Sequence, residues 1–471
     1  MGLRLFNTLS RQTEEFVPLD PDGKQVRLYC CGPTVHDFAH IGNFRTFVLT
    51  DLLTRYLRFR GYEVNHVMNI TDVEDKIIAR VRESGVTLGE YTSKFEQAFF
   101  EDLDGLGCER PSKVPHATEY IAEIIELIER LIERGIAYHA SDGSVYFSIQ
   151  KYQEAGHVYG QLTKIDFEQM RQGDRVSNDE YEKDAVADFA LWKARVPEDG
   201  AVAWPSPWGE GRPGWHIECS AMSMKLLGPS FDLHLGGEDL VFPHHEDEIA
   251  QSEGAGCQCG EARFVRHWVH GAHLLVEGKK MSKSLGNFYT LRNLLDEGYT
   301  GREVRFVLCS AHYRETFNFT LDGLKGARTA LGRIDECVGK LRQLASADPA
   351  EPSSKLLEAF TSALDDDLNV SSAWAVIFDW VREINRRVGE ETLSPMEARE
   401  NLLAWERIES ALGIKAGALD EVPVEVAALV EERQAARKNR DFARADEIRD
   451  QLLADGWTIE DTPKGPRAKR A

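Results

Sequence analysis

The sequence predicts an α/β fold: a Rossmann-type parallel-sheet domain with an insertion, followed by a helical bundle and a small mixed α/β C-terminal unit. Three observations support this prediction. Apolar, β-prone segments alternate with amphipathic helical segments in the first half, as in a parallel sheet with crossover helices. A charged stretch with weak periodicity interrupts them at about 140–214. After about residue 323 the pattern becomes helical.

The composition bounds the class of protein. A chain of 471 residues with 42% apolar and 28% charged residues is typical of a multidomain globular protein. No apolar run is long enough to span a membrane, and the N-terminus lacks a signal-peptide pattern, so we expect a cytoplasmic location. The net charge of -22 argues against a generic nucleic-acid binder. An anionic ligand must therefore meet a local basic patch. The eight cysteines are expected to be thiols or metal ligands rather than a disulfide framework.

The first half contains the strand–helix alternation. Residues 26–31 are apolar and β-prone, and a turn-rich loop follows them. A helix is predicted to begin near Asn43 and to end at Gly61. Residues 64–70 are predicted as the next strand and 71–81 as a second helix. This order predicts neighbouring parallel strands.

The middle of the chain adds an amphipathic helix and then resumes the alternation. The helix is predicted over 117–134, with Gly135 as its stop. A strand is predicted over 231–237 and a helix from His244, with Pro243 as its first residue. The expected divisions are the first half of the sheet domain (1–116), an insertion (117–214), and the second half of the sheet domain with a lysine-rich loop (215–322). A helical bundle (323–414) and a C-terminal unit (415–471) follow.

The last third is predicted to be mostly helical. Residues 345–354 have the composition of a linker. Ser394, Pro395 and Glu397 predict a capping box, and Gly413 predicts the end of that helix. The remaining elements are predicted as two helices, a short strand and a basic tail: 424–438, 442–454, 457–460 and 463–471.

Two short motifs indicate a nucleotide. His40 to Asn43 read HIGN and open the first helix, where unpaired backbone N–H groups and the helix dipole favour phosphate. Gly42 allows a ligand to approach the backbone, and an ordinary strand–helix loop remains the alternative. Residues 280–284 read KMSKS between Gly278 and Gly286, which are candidate hinges. Lysines on such a loop can neutralise charge on a triphosphate, although most charged runs are solvated loops.

Four further residues form a candidate metal site. His244 and Glu248 are one helical turn apart, which is half of a zinc site. Cys31 and Cys219, expected on distant strands, could add two thiolates, although buried cysteine is common without a metal. His245 competes with His244, and its position favours the opposite side of the helix. The pair Cys257 and Cys259 lacks a partner pair and is interpreted as a loop without a metal.

The two nucleotide motifs, placed at the first strand and after the last, resemble those of class I aminoacyl-tRNA synthetases. The resemblance implies an enzyme that adenylates an amino acid with ATP and Mg2+ and then transfers it to tRNA. It implies catalytic roles for His40, Asn43, Lys280 and Lys283. It also implies ATP contacts for these four residues and for Gly42 and Asp239. Asn43 stands where the pattern usually has His, so we expect it to position rather than transfer protons.

Longer segments resemble the cysteinyl-tRNA synthetase family: residues 29–43, 69–76, 204–223 and 236–251. The resemblance implies one zinc ion held by Cys31, Cys219, His244 and Glu248, which selects the substrate thiolate over serine. It also implies that Thr71, Trp215 and His234 line the cysteine pocket, although their residue types alone fit a structural role. The implied partners are ATP, L-cysteine and tRNA(Cys), without a membrane, and a monomer is the expected state.

The C-terminal unit is rich in basic residues, which fits contacts with an anticodon loop or, equally, a solvated helix face. These residues are Arg433, Arg437, Lys438, Arg440, Arg444, Lys464, Arg467, Lys469 and Arg470. Three other functions compete. A ligase that joins cysteine to an amino sugar shares the catalytic half but lacks residues like 415–471. A zinc hydrolase using His244, His245, Glu246 and Glu248 leaves the lysine loop unexplained. A non-catalytic tRNA-binding relative predicts damaged motifs, and these are intact apart from Asn43.

Overall fold

The structure is a computed structural model. It describes the ranges 2–163, 188–256, 263–281, 286–415, 424–439, 441–462 and 465–470. The chain divides into two compact units, Met1–Ile414 and Lys415–Ala471. Among the described residues, no helix has both the length and the apolar character needed to cross a membrane.

The described strands and helices are numbered here in chain order. The strands are β1 (Arg4–Asn7), β2 (Gln12–Glu15), β3 (Gln25–Cys30), β4 (Glu63–Met68), β5 (Ala137–His139), β6 (Val145–Phe147), β7 (Phe189–Ala194), β8 (Gly211–Pro213), β9 (Phe231–Gly237), β10 (Val265–Gly271), β11 (Leu274–Val276), β12 (Lys279–Lys280), β13 (Phe317–Phe319), β14 (Trp457–Thr462) and β15 (Gly465–Arg470). The helices are α1 (Ile41–Phe59), α2 (Asp75–Ser84), α3 (Leu88–Gly105), α4 (Ile121–Glu133), α5 (Ile149–Glu154), α6 (Trp215–Leu227), α7 (Glu246–Gly254), α8 (Leu291–Asp296), α9 (Gly301–Leu308), α10 (Leu321–Leu344), α11 (Ser354–Leu364), α12 (Val370–Gly389), α13 (Pro395–Leu412), α14 (Val424–Lys438) and α15 (Phe442–Ala454).

The central sheet has four parallel strands in the order β10–β9–β3–β4, which confirms the predicted parallel sheet. Every residue of β9 is buried, as expected for an inner strand covered on both faces. Leu28 of β3 pairs with Leu233 of β9 and His66 of β4. The carboxyl ends of these strands meet at one edge, which is where open α/β sheets bind ligands.

Helix α1 starts at this edge and packs on the sheet. His40 caps it, so the helix begins at Ile41, slightly earlier than predicted. Phe44, Val48 and Leu52 are buried in the main core, at the spacing of one helical face. The helix thus fixes the position of the first motif relative to the strands.

The region predicted as an insertion contains an antiparallel sheet in the order β5–β6–β7–β8. Phe147, Tyr152 and Trp192 belong to a hydrophobic core that this region shares with Ile217 of α6 and Ala250 of α7. The proposed division boundaries of the catalytic region remain predictions.

The helical part ends with α13, whose predicted capping box is present between Ser394 and Glu397. Three guanidinium groups donate to the last carbonyls of this region. Arg55 of α1 donates to Ser410 O at 3.2 Å. Arg305 and Arg302 of α9 donate to Leu412 O at 2.8 Å and to Ile414 O at 2.6 Å. Leu412 is the last residue of α13, so its carbonyl is one that a helix end leaves without an intrahelical partner.

The C-terminal unit contains α14, α15 and the antiparallel pair β14–β15. The two helices were predicted with these bounds. No strand was predicted in the basic tail, whereas Gly465–Arg470 forms a strand against Trp457–Thr462. This strand forms because its backbone pairs with β14. Its charged composition gave no signal of a strand. Lys464 and Arg440 lie outside the described residues.

Candidate active site and metal centre

Two thiols meet at the carboxyl edge of the sheet. Cys31 directly follows β3, and its Sγ lies 3.9 Å from the Sγ of Cys219. Both side chains are buried. Cys219 was expected on a strand, and this was wrong: it lies in α6, one turn after the helix begins at Trp215. The helix brings the second thiol to the end of the first strand.

His244 and Glu248 complete the cluster. The chain passes through a wide turn over Val241–His245, so the α-helix begins at Glu246 rather than near His244 as predicted. The i, i+4 relationship nevertheless holds, since His244 Nε2 lies 3.2 Å from Glu248 Oε1. Cys31 Sγ lies 3.6 Å from the same oxygen.

His245 was expected to point away from this cluster, and this was wrong. Its Nε2 lies 3.3 Å from Cys31 Sγ and 4.0 Å from Glu248 Oε1. The expectation assumed a regular helix, whereas the wide turn before α7 allows neighbouring histidines to face the same side. Two overlapping donor sets result: Cys31, Cys219, His244 and Glu248, and Cys31, His234, His245 and Glu248.

The first set has the spacing of a tetrahedral metal site. An ion with Zn–S bonds of about 2.3 Å and Zn–N or Zn–O bonds of about 2.0 Å separates two sulfurs by about 3.8 Å. The same ion separates sulfur from oxygen by about 3.5 Å and nitrogen from oxygen by about 3.3 Å. The observed separations are 3.9 Å, 3.6 Å and 3.2 Å. The donor types and distances therefore fit such an ion.

Cys219 and Glu248 are the acidic members of the cluster. A hydrogen bond from Cys31 lowers the pKa of Cys219 to about 6, against the effect of burial. Burial also opposes ionisation of Glu248, but the imidazoles of His234 and His244 outweigh it and lower the pKa of that carboxyl to about 2. Burial raises the pKa of Cys31 well above its usual range. Anionic Cys219 and Glu248 favour a bound cation.

Two of the residues expected to line the cysteine pocket contact this cluster, and the third, Thr71, is connected to it through Asn69. His234 Nε2 lies 3.0 Å from Glu248 Oε2. The Trp215 ring lies 4.5 Å from the His244 ring, and the side chain is 38% exposed, so it is not a core residue. Thr71 is buried and receives a hydrogen bond from Asn69 Nδ2 at 3.2 Å.

Asn69 was not among the predicted site residues. Its Oδ1 accepts from Gly32 N at 2.9 Å and lies 3.7 Å from Cys219 Sγ. It thereby connects the loop after Cys31 to the second thiol. Its position at the end of the predicted second strand was the available signal.

The first motif forms a reciprocal cap. Asn43 N donates to His40 Nδ1, and His40 N donates to Asn43 Oδ1, both at 3.1 Å. Since Nδ1 of a neutral His40 accepts, its hydrogen is on Nε2. Burial lowers the pKa of His40, and the charge of the exposed Asp239 opposes only part of this shift. His40 and Asn43 Nδ2 can both donate to an anion.

Described residues on both sides of the lysine loop lie against the first motif. Ile41 N donates to Tyr289 O at 3.0 Å, and the Phe288 ring packs on the His40 ring at 5.3 Å. A Cβ atom at Gly42 would lie 3.0 Å from Met281 Cε, so glycine allows this approach. The structure therefore places Met281 of the second motif, and the residues that follow the loop, next to the first motif.

Lys280 lies at the base of this loop in β12 and is exposed. The buried Asn287, which was not predicted, donates to Lys280 O at 3.2 Å and to Val276 O at 3.3 Å. Gly278 and Gly286 both have positive φ, 73° and 66°, which suits their predicted hinge role. Lys283 lies outside the described residues, as do Cys257 and Cys259.

Glu246 has a structural use. Its carboxylate accepts from the backbone N–H groups of Gly160, Gln161 and Leu162 at 2.7 to 2.8 Å. Because backbone N–H groups already bind both oxygens of Glu246, the hydrolase alternative, which requires Glu246 at a catalytic metal, is disfavoured.

Solved structures of low sequence identity share the fold. Two structures of methionyl-tRNA synthetase from Mycobacterium tuberculosis with methionyl-adenylate superpose with TM-scores of 0.58 and 0.61, at 14% and 13% identity. The match covers 83% of this chain and 90% and 92% of those chains. The fold is that of class I tRNA synthetases.

Sequence comparisons define the family more narrowly. The model described as tRNA synthetases class I (C) catalytic domain matches residues 16–329. A DALR domain model matches 359–414, and a cysteinyl-tRNA ligase anticodon binding domain model matches 419–466. Cysteine–tRNA ligases of Chlamydia muridarum and Chlamydia pneumoniae are 47% and 48% identical, covering 100% and 99% of this chain and 100% and 98% of theirs. The chain belongs to the cysteinyl-tRNA ligase family.

Proposed function

We propose that this chain joins L-cysteine to tRNA(Cys). It forms cysteinyl-AMP from cysteine and ATP, releases diphosphate, and transfers the cysteinyl group to the 3′ end of the tRNA. The relatives named cysteine–tRNA ligase match over the whole chain, which supports this activity. The proposal rests above all on a buried donor set of two thiols, a histidine and a carboxylate at the sheet edge that also holds the first nucleotide motif.

We infer that the ion is zinc, held by Cys31, Cys219, His244 and Glu248. When bound, zinc supplies a Lewis acid that holds a substrate thiolate strongly and a serine hydroxyl poorly. This selection is useful because a hydrophobic pocket separates such similar side chains by only about a hundredfold.

Three residues are proposed to shape the amino-acid pocket around this set. His234 orients the Glu248 carboxylate through its hydrogen bond. Trp215 covers the His244 ring and leaves part of its own surface open to a ligand. Thr71 presents a buried hydroxyl that Asn69 holds in place.

The first motif is proposed to bind the ATP phosphates. The N-terminus of α1, the Nε2–H of His40 and the amide of Asn43 are donors for phosphate oxygens. Asn43 cannot titrate, so its role is positioning. Gly42 keeps the backbone accessible, and Asp239 is proposed to contact the adenylate.

The lysine loop is proposed to stabilise charge as the triphosphate is attacked. Lys280 and Lys283 supply ammonium groups, and Gly278 and Gly286 allow the loop to move. Mg2+ is proposed to accompany ATP. Removing such a preorganised donor typically slows the chemical step by about a hundredfold or more.

The C-terminal unit is proposed to contact the anticodon loop. The family-model match over 419–466 supports tRNA rather than an amino sugar as the acceptor. The intact motifs oppose a non-catalytic relative. A cytoplasmic location is proposed because tRNA is the substrate, and a monomeric state remains a prediction.

The decisive experiment is cysteine-dependent exchange of labelled diphosphate into ATP, with serine as the control and zinc content measured on the same sample. We expect exchange with cysteine, little with serine and one zinc per chain. A metal-free protein that still prefers cysteine would contradict the proposed basis of selection.

A further inference from the structure

A chain of buried hydrogen bonds leads away from Cys31. His245 Nε2 lies 3.3 Å from Cys31 Sγ, and His245 Nδ1 lies 2.8 Å from His270 Nε2. His270 Nδ1 in turn lies 2.7 Å from Thr8 Oγ1. All four side chains are buried, with exposed fractions between 0% and 8%. None of the proposed roles above uses His245, His270 or Thr8.

The bonding along this chain can have only one direction if Cys31 is a thiolate. A thiolate sulfur accepts hydrogen bonds, so His245 Nε2 must donate to it. A neutral His245 then accepts at Nδ1, and His270 Nε2 must be its donor. His270 Nδ1 consequently accepts from the Thr8 hydroxyl. Burial of both rings favours this neutral arrangement.

His245 fits the role of a donor to sulfur better than that of a metal ligand. As a ligand beside Glu248 its Nε2 would lie about 3.3 Å from the carboxylate oxygen. The observed distance is 4.0 Å, whereas His244 Nε2 lies at 3.2 Å. The second possible donor set also requires His234, whose Nε2 already bonds the other oxygen of Glu248 at 3.0 Å.

We propose that the chain Thr8–His270–His245 is a positioning device that delivers one N–H hydrogen bond to the Cys31 sulfur. This inference rests on the proposed function and deepens it. The bond withdraws electron density from the Cys31 thiolate, which weakens its donation to a metal and strengthens the metal's hold on a substrate thiolate. It also keeps His245 Nε2 protonated and therefore unable to ligate.

The test uses the full-length protein loaded with Co2+, whose thiolate-to-metal absorption band reports on the ligand sulfurs. His245→Phe keeps an aromatic ring but removes the donor, and His245→Gln restores an N–H group at the position of Nε2. For His245→Phe we expect one Co2+ per chain, a shift of the band to longer wavelength, and about tenfold weaker cysteine binding in an optical titration. His245→Gln should recover most of both quantities.

Thr8, at the other end of this series of hydrogen bonds, supplies a second pair of variants with a smaller expected effect. Thr8→Val removes the hydroxyl and nearly keeps the side-chain volume, whereas Thr8→Ser keeps the hydroxyl. Thr8→Val should shift the band in the same direction by a smaller amount, and Thr8→Ser should match the wild type. These variants keep the proposal testable if His245→Phe does not fold.

Two results would overturn the proposal. Loss of bound Co2+ in both His245 variants would make His245 a ligand. An unchanged band and unchanged cysteine binding in His245→Phe and Thr8→Val would show that these hydrogen-bonded side chains contribute only to packing. Neither ATP nor tRNA enters these measurements, so either result would leave the ligase activity standing. Failure of the wild-type protein to bind the metal at all would instead contradict the proposed function.

Discussion

The Sγ atoms of Cys31 and Cys219 lie 3.9 Å apart, although 188 residues separate the two cysteines in the sequence. We predict that Cys219→Ala loses the bound metal and raises the cysteine concentration needed for adenylation by about 10- to 100-fold. Metal analysis and diphosphate exchange measure these effects. Cys30→Ala is the matched control, because Cys30 Sγ contacts Thr50 Oγ1 at 3.3 Å and is not in the cluster. Unchanged values in Cys219→Ala would remove that thiol from the site.

The lysine loop supplies a second prediction. Lys283→Ala should slow adenylate formation by about a hundredfold, while binding of cysteine alone persists. Lys279→Ala is the comparison, because Lys279 pairs with Val276 at the base of the loop and is not a predicted catalytic residue. Single-turnover diphosphate release distinguishes the two variants. Normal exchange by Lys283→Ala would refute its role.

The division of the chain after Ile414 predicts a separation of activities. A protein truncated after residue 414 keeps both nucleotide motifs and the donor set, and we expect near-normal diphosphate exchange. It lacks the residues matched by the anticodon-binding model, so aminoacylation of tRNA should fall strongly. Equal loss of both activities would show that residues 415–471 act only structurally.

The buried pair of Asp51 and Arg305 predicts a large effect on stability. Their side chains are 3% and 0% exposed, and Arg305 Nη2 donates to Asp51 Oδ2. Asp51→Asn leaves the guanidinium without its counter-charge, which should lower the free energy of unfolding by about 3–5 kcal/mol. Asp322→Asn, which disrupts the largely exposed pair with Lys325, is the control and should leave the denaturation midpoint nearly unchanged.

The same pair predicts a pH effect. Burial opposes ionisation of Asp51, but Arg305 and then Arg55 outweigh it and lower the pKa of the carboxyl. The stabilisation is therefore fully present above the unfolded value of about 3.9 and is lost as the pH falls through the folded value. Urea unfolding between pH 6 and pH 3 should show a steeper acid loss in the wild type than in Asp51→Asn. Parallel curves would contradict the assignment.

His116 predicts the opposite pH dependence. Its Nε2 lies 3.0 Å from Glu96 Oε1, and this hydrogen bond raises the pKa of the imidazole to about 9. The stabilisation is fully present below the unfolded pKa of about 6.5 and is lost as the pH rises through about 9. The unfolding midpoint of the wild type should fall relative to His116→Gln between pH 6 and pH 10. A constant difference would mean that His116 contributes packing alone.

Elements with local signals were predictable from the sequence. The capping box at Ser394, the stop at Gly413 and the bounds of α14 depend on neighbouring residues, and all agree with the structure. The parallel sheet followed from the alternation of strand and helix patterns. Strand β15 was missed because its pairing is set by the partner backbone of β14 rather than by its own composition.

Within the site, chemical type was predictable and orientation was not. The structure brings Cys31, Cys219, His244 and Glu248 together as one possible donor set, and their role as ligands stays a prediction. The direction of His245 depends on the wide turn before α7, which has no clear local signal. Asn69 and Asn287 act through contacts with backbone or sulfur atoms outside their own elements, and only the position of Asn69 at the end of a predicted strand indicated either residue.

The three guanidinium groups at the end of α13 link parts of the molecule that are far apart in sequence. Arg55 extends from α1, the helix that opens with the first motif, and Arg302 and Arg305 extend from α9, the second helix after the lysine loop. All three grip peptide carbonyls between Ser410 and Ile414. A displacement of either helix would therefore stretch hydrogen bonds to the same short segment, Ser410 to Ile414. This shared attachment restrains α1 and α9 from moving independently of each other.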